Sequence, residues 1–536
     1  MNQSYELTPD QLRIICAPDS LDFNTTSELL PTEGIIGQPR ATRAMDFGIE
    51  MPGPGFNIYV QGPAGTGRMT TVAHFLTRKA AAGPVPDDWC YVYNFAAPSR
   101  PRALRLPAGM GRQLRQDMAH LVEHLRKEIP RVLEGEEYAE ARQRLEQSLQ
   151  ETRDAELRVI QKEAETVGFG LMRTPAGIVP VPVVDGQPMT QETFNQLPPD
   201  KQQAIEKHLR ALQEKLSEAA RRIREQERRI RAQTHKLERD MIGFVCNPVI
   251  EELKEKYKDL PEVLDYLEAV RQDIIEHGEE FKPPEEGEAT SSDASPPLTL
   301  PFLRYRVNLL VDNAETQGAP VIIEHMPTYY NLIGRIEQQV RSGAVVTDFT
   351  MIRPGALHRA NGGYLVVYVR DVMNTPFAWD ALKRALKNQE IRIQELDVQY
   401  RLLVTATLEP EPIPLQVKVV LIGSPWFYYL LYSQDEDFRK LFKVRADFAS
   451  DMERNEENIR QYSFFIAARC QEENLPPFDR TAVAKVVEYG SRLVEDQTRL
   501  STHFGHIADL VREAGYWARE NSHNCCLLYT SPSPRD

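Results

Sequence analysis

Residues 61–71 read QGPAGTGRMTT, and this stretch decides the fold class of the chain. It comes close to the phosphate-binding pattern G-x-x-x-x-G-K-[ST]. Gly62 and Gly67 stand at the required spacing, but Arg68 takes the lysine position and Met69 takes the Ser/Thr position. FNIYVQG (56–62) before the loop is apolar and β-prone, and TTVAHFLTRKAAAG (70–83) after it has the apolar spacing of a helix. Because a strand, a glycine loop and a helix in this order are the context that the motif requires, we predict a phosphate-binding loop.

The composition limits the class of protein. A chain of 536 residues exceeds one compact core, so several domains are expected. The formal net charge of −14 disfavours general nucleic-acid binding, since DNA-binding domains usually present a basic face. The six cysteines form neither a disulfide framework nor a zinc pattern, which favours a reducing cytoplasm. The N-terminus lacks the features of a signal peptide, and no apolar run reaches the roughly 18 residues of a membrane span.

The middle of the chain is rich in Glu, Arg, Gln, Lys and Leu. Apolar residues with 4-3 spacing predict a heptad seam: Ile205, Leu209, Leu212, Leu216, Ala219, Ile223, Ile230, Leu237 and Met241. An earlier helical stretch, about 112–165, contains Pro130, where a kink or break is expected. We predict an antiparallel coiled-coil arm with a β-rich tip at 168–189. Five apolar residues of that tip indicate a contact site: Phe169, Leu171, Met172, Ile178 and Val179.

An α/β pattern surrounds this insert. Strands are predicted at 89–95, 305–313, 319–325, 362–369 and 416–423, and a helix at 379–388. The last region, about 451–524, has helical periodicity. The predicted order is an N-terminal segment (1–30), a first core segment (31–108), the coiled-coil insert (109–282), a Pro/Ser-rich linker (283–297), a second core segment (298–450), a helical lid (451–524) and a tail (525–536).

Four stretches carry a resemblance to a known family. They are IIGQPRATRAMDFGI (35–49), APVIIEHMPTYYNLIGRIE (319–337), PGALHRANGGYLVVYVRDV (354–372) and FRKLFKVRADF (438–448). Together they resemble the Lon-related AAA+ proteases of bacteria, near the LonB and LonC types. The resemblance covers about 30–520 and implies an AAA+ P-loop NTPase domain with an inserted coiled-coil arm and a C-terminal helical lid. Family members add a protease domain with a Ser–Lys dyad, which we expect to be missing here. The ending CCLLYTSPSPRD looks like a translated adapter remnant, so the tail is expected to be non-native.

The resemblance also places nucleotide-binding residues. It sets Gly37 and Gln38 beside the adenine of ATP. It sets the phosphates on residues 62–70, namely Gly62, Pro63, Ala64, Gly65, Thr66, Gly67, Arg68, Met69 and Thr70. It makes Ser424 the candidate sensor of the γ-phosphate and Arg439 the candidate arginine finger, with Arg445 as runner-up. The lid arginine of relatives stays open among His503, His506 and Arg512.

The residues that hold Mg²⁺ in relatives are changed. Met69 replaces the hydroxyl ligand, and a thioether is a poor ligand for a hard cation. The Asp-Glu pair that ends a strand in relatives falls on Tyr368 and Val369, and the nearest acid is Asp371. On a strand, 369 and 371 share a face, so Asp371 is the candidate stand-in for the glutamate. We therefore predict ATP binding with slow or absent hydrolysis. We assign no metal ligand, and whether Mg²⁺ accompanies the nucleotide stays open.

Three functions are candidates. The resemblance favours the ATP-binding module of an ATP-dependent serine protease that acts on protein substrates as a homo-oligomer, a hexameric ring by analogy. A regulatory module that binds nucleotide without consuming it is the alternative. A coiled-coil DNA ATPase would need a hinge or hook motif that the tip lacks. HLVEH (120–124) matches a zinc pattern, but it lies in the charged helical insert, and we interpret it as a solvated helix face.

Overall fold

The structure is a computed structural model, and it describes residues 8, 14–30, 35–174, 177–184, 187–189, 194–195, 197–282, 302–341, 344–394 and 408–528. Two compact units divide the chain. Met1–Arg115 together with Arg306–Asp536 form the first, and Gln116–Tyr305 form the second. We call the first the α/β unit and the second the helical unit.

The secondary structure follows the chain in this order. The strands are β1 (Ile58–Gln61), β2 (Asp88–Val92), β3 (Arg102–Leu106), β4 (Phe169–Thr174), β5 (Gly177–Val184), β6 (Gln187–Pro188), β7 (Val307–Val311), β8 (Val321–Glu324), β9 (Arg335–Ile336), β10 (Gln339–Arg341), β11 (Ala344–Val346), β12 (Ile352–Arg353), β13 (Tyr364–Tyr368), β14 (Glu390–Ile391), β15 (Ile413–Pro414), β16 (Lys418–Gly423), β17 (Val444–Asp447), β18 (Asp451–Glu453) and β19 (Arg499–Ser501). The α-helices are α1 (Pro39–Glu50), α2 (Arg68–Ala81), α3 (Met110–Leu133), α4 (Glu136–Thr166), α5 (Pro199–Lys256), α6 (Pro261–Glu276), α7 (Tyr329–Ile333), α8 (Ala356–Arg359), α9 (Val369–Asn374), α10 (Ala378–Asn388), α11 (Pro425–Gln434), α12 (Glu436–Leu441), α13 (Glu456–Glu472), α14 (Arg480–Leu493) and α15 (Phe504–Glu520).

A parallel five-stranded sheet forms the centre of the α/β unit. Its spatial order is β17-β1-β16-β13-β8, and each neighbouring pair is parallel. Strands β13 and β16 are almost continuously apolar and mostly buried, as expected of strands covered on both faces. The mixed α/β class predicted from the sequence is therefore confirmed.

The strand after the glycine loop joins a different sheet. WCYVYNF is the next strand along the chain, as predicted, but β2 pairs antiparallel with β3 and β7 in a separate three-stranded sheet. The next strand of the central sheet is β8, more than 250 residues after β1 in the sequence. Local composition identifies a strand, but it does not identify the strand's partners.

Helices α13, α14 and α15 follow the central sheet and share a second apolar core. Tyr462, Val483, Ile507 and Val511 are fully buried in it. Cys526 is buried in the same core, where its N–H donates to the carbonyl of Pro477 at 2.8 Å. The sequence predicts a non-native tail from 525 onward, whereas Cys526 packs in the lid core. Residues 529–536 lie outside the described residues.

The helical unit contains two long helices that run antiparallel. Lys215 of α5 pairs with Glu163 of α4 at 2.6 Å, and Arg222 of α5 pairs with Glu156 of α4 at 3.6 Å. The residue numbers rise along α5 while they fall along α4, so the two helices are antiparallel. All nine predicted seam residues of α5 are buried or half-buried, which confirms the apolar face. The supercoil itself stays a prediction. Among the described residues, no helix is long and apolar enough to cross a membrane.

Three further sequence predictions concern the residues around this helical pair. A kink or break was expected at Pro130. Helix α3 continues through Pro130 to Leu133, and the break comes just after it, before α4 begins at Glu136. Between α4 and α5, strands β4, β5 and β6 form an antiparallel sheet. His120 and His124 are exposed on α3, as the interpretation of a solvated helix face requires.

Candidate functional site

The glycine loop connects the carboxyl end of β1 to the first turn of α2. Gly65 and Gly67 have φ angles of +84° and +68°, a left-handed backbone that glycine adopts without steric cost. Gly67 is the N-terminal cap of α2. The Thr66 hydroxyl donates to the Pro63 carbonyl at 3.0 Å and holds the loop in this shape.

The loop is built to receive an anion. Within the described part of the chain, the backbone N–H groups of Gly65, Thr66 and Gly67 donate to no protein acceptor. The first N–H groups of α2 have no partner inside the helix, and the helix dipole adds positive potential at the same place. Converging unpaired N–H groups at a helix N-terminus bind phosphate, so the residues present fit a nucleotide.

Arg68 is the first residue of α2 and follows Gly67 directly. Its side chain is half-buried, and its Nη1 donates to the carbonyl of Gly423, the last residue of β16. Burial lowers the pKa of Arg68, and the nearby phenols of Tyr368 and Tyr59 oppose that shift. The hydrogen bond to Gly423 places the Arg68 guanidinium at the carboxyl end of β16.

Met69 and Tyr368 belong to one apolar cluster. Both are partly buried and pack against a core that includes Val366, Val420 and Ile422. Neither side chain offers an oxygen that holds Mg²⁺ well, since Mg²⁺ prefers carboxylates, phosphates and water. Where relatives place metal ligands, this chain has packed hydrophobic and aromatic groups.

The predicted geometry of Asp371 is wrong in one respect. Strand β13 ends at Tyr368, and residues 369–374 form helix α9. Strand alternation therefore does not apply to Val369 and Asp371. The Asp371 carboxylate is half-buried and makes no hydrogen bond to any described residue, so its role as a stand-in acid stays a prediction.

Ser424 follows β16 directly and caps α11. Register places Gly423 opposite Gln61, so Ser424 lies beside the start of the glycine loop. Its carbonyl accepts a hydrogen bond from the Tyr59 hydroxyl at 2.9 Å, while its own hydroxyl makes no cap bond. The position fits the predicted sensor, which remains a prediction.

Gln38 has a structural role that the sequence did not reveal. Its side chain is 4% exposed and bonds both backbone groups of Ala449, with Nε2 donating at 2.9 Å and Oε1 accepting at 2.8 Å. Gly37 before it has a left-handed backbone (φ +67°). The Gln38 amide therefore fixes the segment after β17 through both its oxygen and its nitrogen. Gln38 also lines the cavity described next.

A cavity of about 660 Å³ opens between the glycine loop and the lid helices. Its apolar lining is Ile35, Ile36, Phe464, Phe465 and Phe504, and its loop side is Gly65, Thr66, Gly67, Thr70 and Thr71. Aromatic and aliphatic side chains suit a planar base, and the loop suits its phosphates. This cavity has the chemistry of a nucleotide pocket.

The lid touches the loop directly. His503 Nδ1 lies 3.0 Å from the Ala64 carbonyl, and the Gly505 N–H donates to the Gly65 carbonyl at 3.2 Å. Arg512 lines the cavity, but Glu473 binds it through two hydrogen bonds of 2.8 Å. Of the three lid residues left open by the sequence, His503 is the one that contacts the loop.

Three family models match the chain. A LonB-like AAA domain model matches residues 317–449, an archaeal LonB AAA+ ATPase LID domain model matches 477–526, and a Lon-like LonC helical domain model matches 88–121. Together these partial matches support a Lon-related AAA+ family. An AAA+ ATPase domain implies nucleotide binding, and the glycine loop at 61–71, which lies outside the matched ranges, stays the predicted site.

Solved structures resemble this chain only in part. NtrX from Brucella abortus in complex with ADP matches at 13% identity and a TM-score of 0.27, over 41% of this chain and 45% of that chain. Its complex with ATP matches at 15% identity and the same TM-score over the same shares. A full-length MCM homologue from Methanopyrus kandleri matches at 16% identity and a TM-score of 0.16, over 39% of this chain and 42% of that chain. Each match covers less than half of either chain, and no curated protein matches.

The two candidate arginine fingers, Arg439 and Arg445, are both exposed. Arg439 on α12 stacks over the Tyr432 ring at 5.3 Å, and Arg445 on β17 stacks over Tyr428 at 5.4 Å. Neither forms an ion pair with a described residue. An exposed arginine without an ion-pair partner can contact the nucleotide of a neighbouring subunit. The arginine-finger role stays a prediction for both residues.

Sequence reasoning missed Asp447, the acid beside the loop. It ends β17 in register with Gln61, and its Oδ1 accepts from Gln61 Nε2 at 3.1 Å. Only the pairing of β1 with β17 brings this carboxylate to the loop, and no local pattern signals that pairing.

Proposed function

We propose that this Lon-related AAA+ chain is the ATP-binding module of an ATP-dependent protease and that it turns ATP over slowly or not at all. The observation that carries this proposal is a glycine cradle with unpaired N–H groups beside an apolar cluster in place of metal ligands. The cradle supports binding, and the cluster argues against rapid cleavage.

Binding is supported by the cavity as well as by the loop. The cavity joins loop amides to the aromatic residues Phe464, Phe465 and Phe504. Aromatic stacking favours the base, while the helix dipole and amides favour phosphate. ATP combines both groups, so it fits this pocket better than phosphate alone.

Slow hydrolysis follows from what phosphoryl transfer requires. In P-loop NTPases, a metal bridges the outer phosphates and a positioned side chain orients the attacking water. Met69 and Tyr368 stand where relatives hold that metal, and Asp371 in α9 is the candidate for orienting water. Ser424 would sense the γ-phosphate, and Arg439 would reach a neighbouring subunit's nucleotide.

The assembly and substrates follow from the family. The Lon-related family suggests oligomeric assembly, and we propose a homo-oligomeric ring, hexameric by analogy, in the cytoplasm. The antiparallel pair of α4 and α5 would form a coiled-coil arm that engages or gates protein substrates. No nucleic acid is proposed as a partner.

A regulatory module is the second candidate. In that case nucleotide stabilises the oligomer without being consumed, as the apolar cluster at the metal position would allow. Two measurements on the same preparation separate the candidates: ATP affinity by titration calorimetry, and phosphate release in a coupled assay. An Mg²⁺-dependent turnover of about one per second or faster would refute slow hydrolysis.

A matched pair of glycine variants tests the binding site. Gly65→Ala places a methyl group in a left-handed backbone within the cradle, and Gly53→Ala does so where no atom lies within 4 Å. Both variants carry a similar backbone cost, but only Gly65→Ala should weaken ATP binding. Equal affinity in the two variants would place the nucleotide elsewhere.

A further inference from the structure

The Arg68 guanidinium is a half-buried cation without a carboxylate partner. The charged and polar groups near it are the Gly423 carbonyl and the phenols of Tyr59 and Tyr368, and none of these is an anion. No ion pair joins Arg68 to any residue that the structure describes. A partly desolvated charge is unfavourable unless an opposite charge meets it, so this cation favours an anionic ligand.

The acids nearby are not arranged to hold a metal. Asp447 accepts a hydrogen bond from Gln61 on the far side of β1, and the strand end of β13 presents Tyr368. Met69 turns into the apolar cluster. Magnesium needs several oxygen ligands in octahedral geometry, and the residues between the loop and β13 do not provide them.

We propose that this site binds its nucleotide without a metal ion, with Arg68 as the charge partner of the outer phosphates. The inference rests on the proposed nucleotide binding. A guanidinium carries five N–H donors, and Arg68 uses one of them on Gly423. The remaining donors match phosphate oxygens bidentately, which a lysine at this position would not do.

The contact with Gly423 gives the arginine a defined position. Gly423 is in register with Gln61, and Ser424 follows it, so the arginine is fixed at the junction of the loop strand and the sensor strand. A phosphate bound there is held between loop amides and one guanidinium. Pre-organisation of this kind lowers the cost of binding.

The experiment is calorimetric titration of the full chain with ATP and with ADP, in Mg²⁺ and in EDTA. We expect the wild-type dissociation constant to agree within about threefold between the two buffers. A loss of about tenfold or more in EDTA would refute metal-free binding. If no heat of binding is seen in either buffer, the proposed nucleotide binding itself fails, which is a distinct result.

Variants on one helix test the role of the arginine. Arg68→Gln should weaken nucleotide binding about 10- to 100-fold in EDTA, because it removes charge-assisted hydrogen bonds. Arg78→Gln, on the same helix and exposed, is the matched control and should bind as the wild type does. Arg68→Lys keeps the charge and should fall between them. Unchanged affinity in a folded Arg68→Gln variant would overturn the proposal.

Discussion

Replacing Asp435 with alanine is expected to destabilise the α/β unit by about 3.5 kcal/mol. One carboxylate oxygen caps α12 by accepting from the N–H groups of Asp437 and Phe438 at 3.0 and 3.1 Å. The other accepts from Trp379 Nε1 and Lys383 Nζ, both at 2.8 Å. The cap contributes about 1 kcal/mol, the charged hydrogen bond about 1.5, and the indole left without its acceptor about 1.

Asp435→Asn separates these contributions. The amide oxygen still caps the helix, but the amide NH2 replaces the oxygen that accepts from Trp379 and Lys383, so only the cap is kept and we expect a cost of about 2.5 kcal/mol. Urea unfolding followed by tryptophan fluorescence measures both variants. Equal losses in the two variants, or a loss below about 1 kcal/mol for alanine, would refute the reasoning.

The pH dependence of this pair has a definite sign. Although burial opposes the shift, hydrogen bonds from Lys383 and Trp379 lower the pKa of Asp435 below its usual 3.8. A carboxyl with a lowered pKa stabilises the fold above its unfolded value, and this stabilisation is lost as the pH falls through the folded value. The wild type and Asp435→Asn should therefore differ at neutral pH and converge in acid.

Two further pH predictions concern other regions of the chain. Arg271 and Lys254 lower the pKa of Glu268 to about 2, so Glu268→Gln should destabilise the helical unit at neutral pH, and the difference should vanish as the pH falls from 4.5 toward 2. Burial lowers the pKa of His358 to about 3, so the unfolded imidazole gains its proton first and the α/β unit should lose stability as the pH falls from 6.5 toward 3. In His358→Gln, the free energy of unfolding measured in urea should no longer fall between pH 6.5 and pH 3. An unchanged fall in this variant would show that His358 is not its cause.

Local features of the loop were predictable because their causes are local. Apolar residues before Gly62 make a strand, the left-handed positions at 65 and 67 need glycine, and the apolar spacing after Arg68 makes a helix. The seam of α5 follows from periodicity in the same way. These elements depend on neighbours within a few residues.

Pairing and contact could not be predicted, since they depend on distant segments. Strand β1 pairs with β16 and β17, which lie more than 350 residues later. That pairing brings Asp447 beside the loop and Gly423 to Arg68. Residues 369–374 form a helix although the apolar run of β13 just before them favours a strand, and the contact of His503 with Ala64 depends on how the lid packs.

The changes at positions 69 and 368 are physically coupled, which argues against treating either as incidental. Both side chains pack on the cluster around Val366 and Ile422, so a hydroxyl at 69 or a carboxylate at 368 would enter apolar surroundings. A carboxylate at 368 would lie near Arg68 and would compete with phosphate for it. Met69 and Tyr368 keep the cluster apolar and leave Arg68 without an acidic neighbour there. The same two residues thus preserve the charge partner that we propose for the nucleotide.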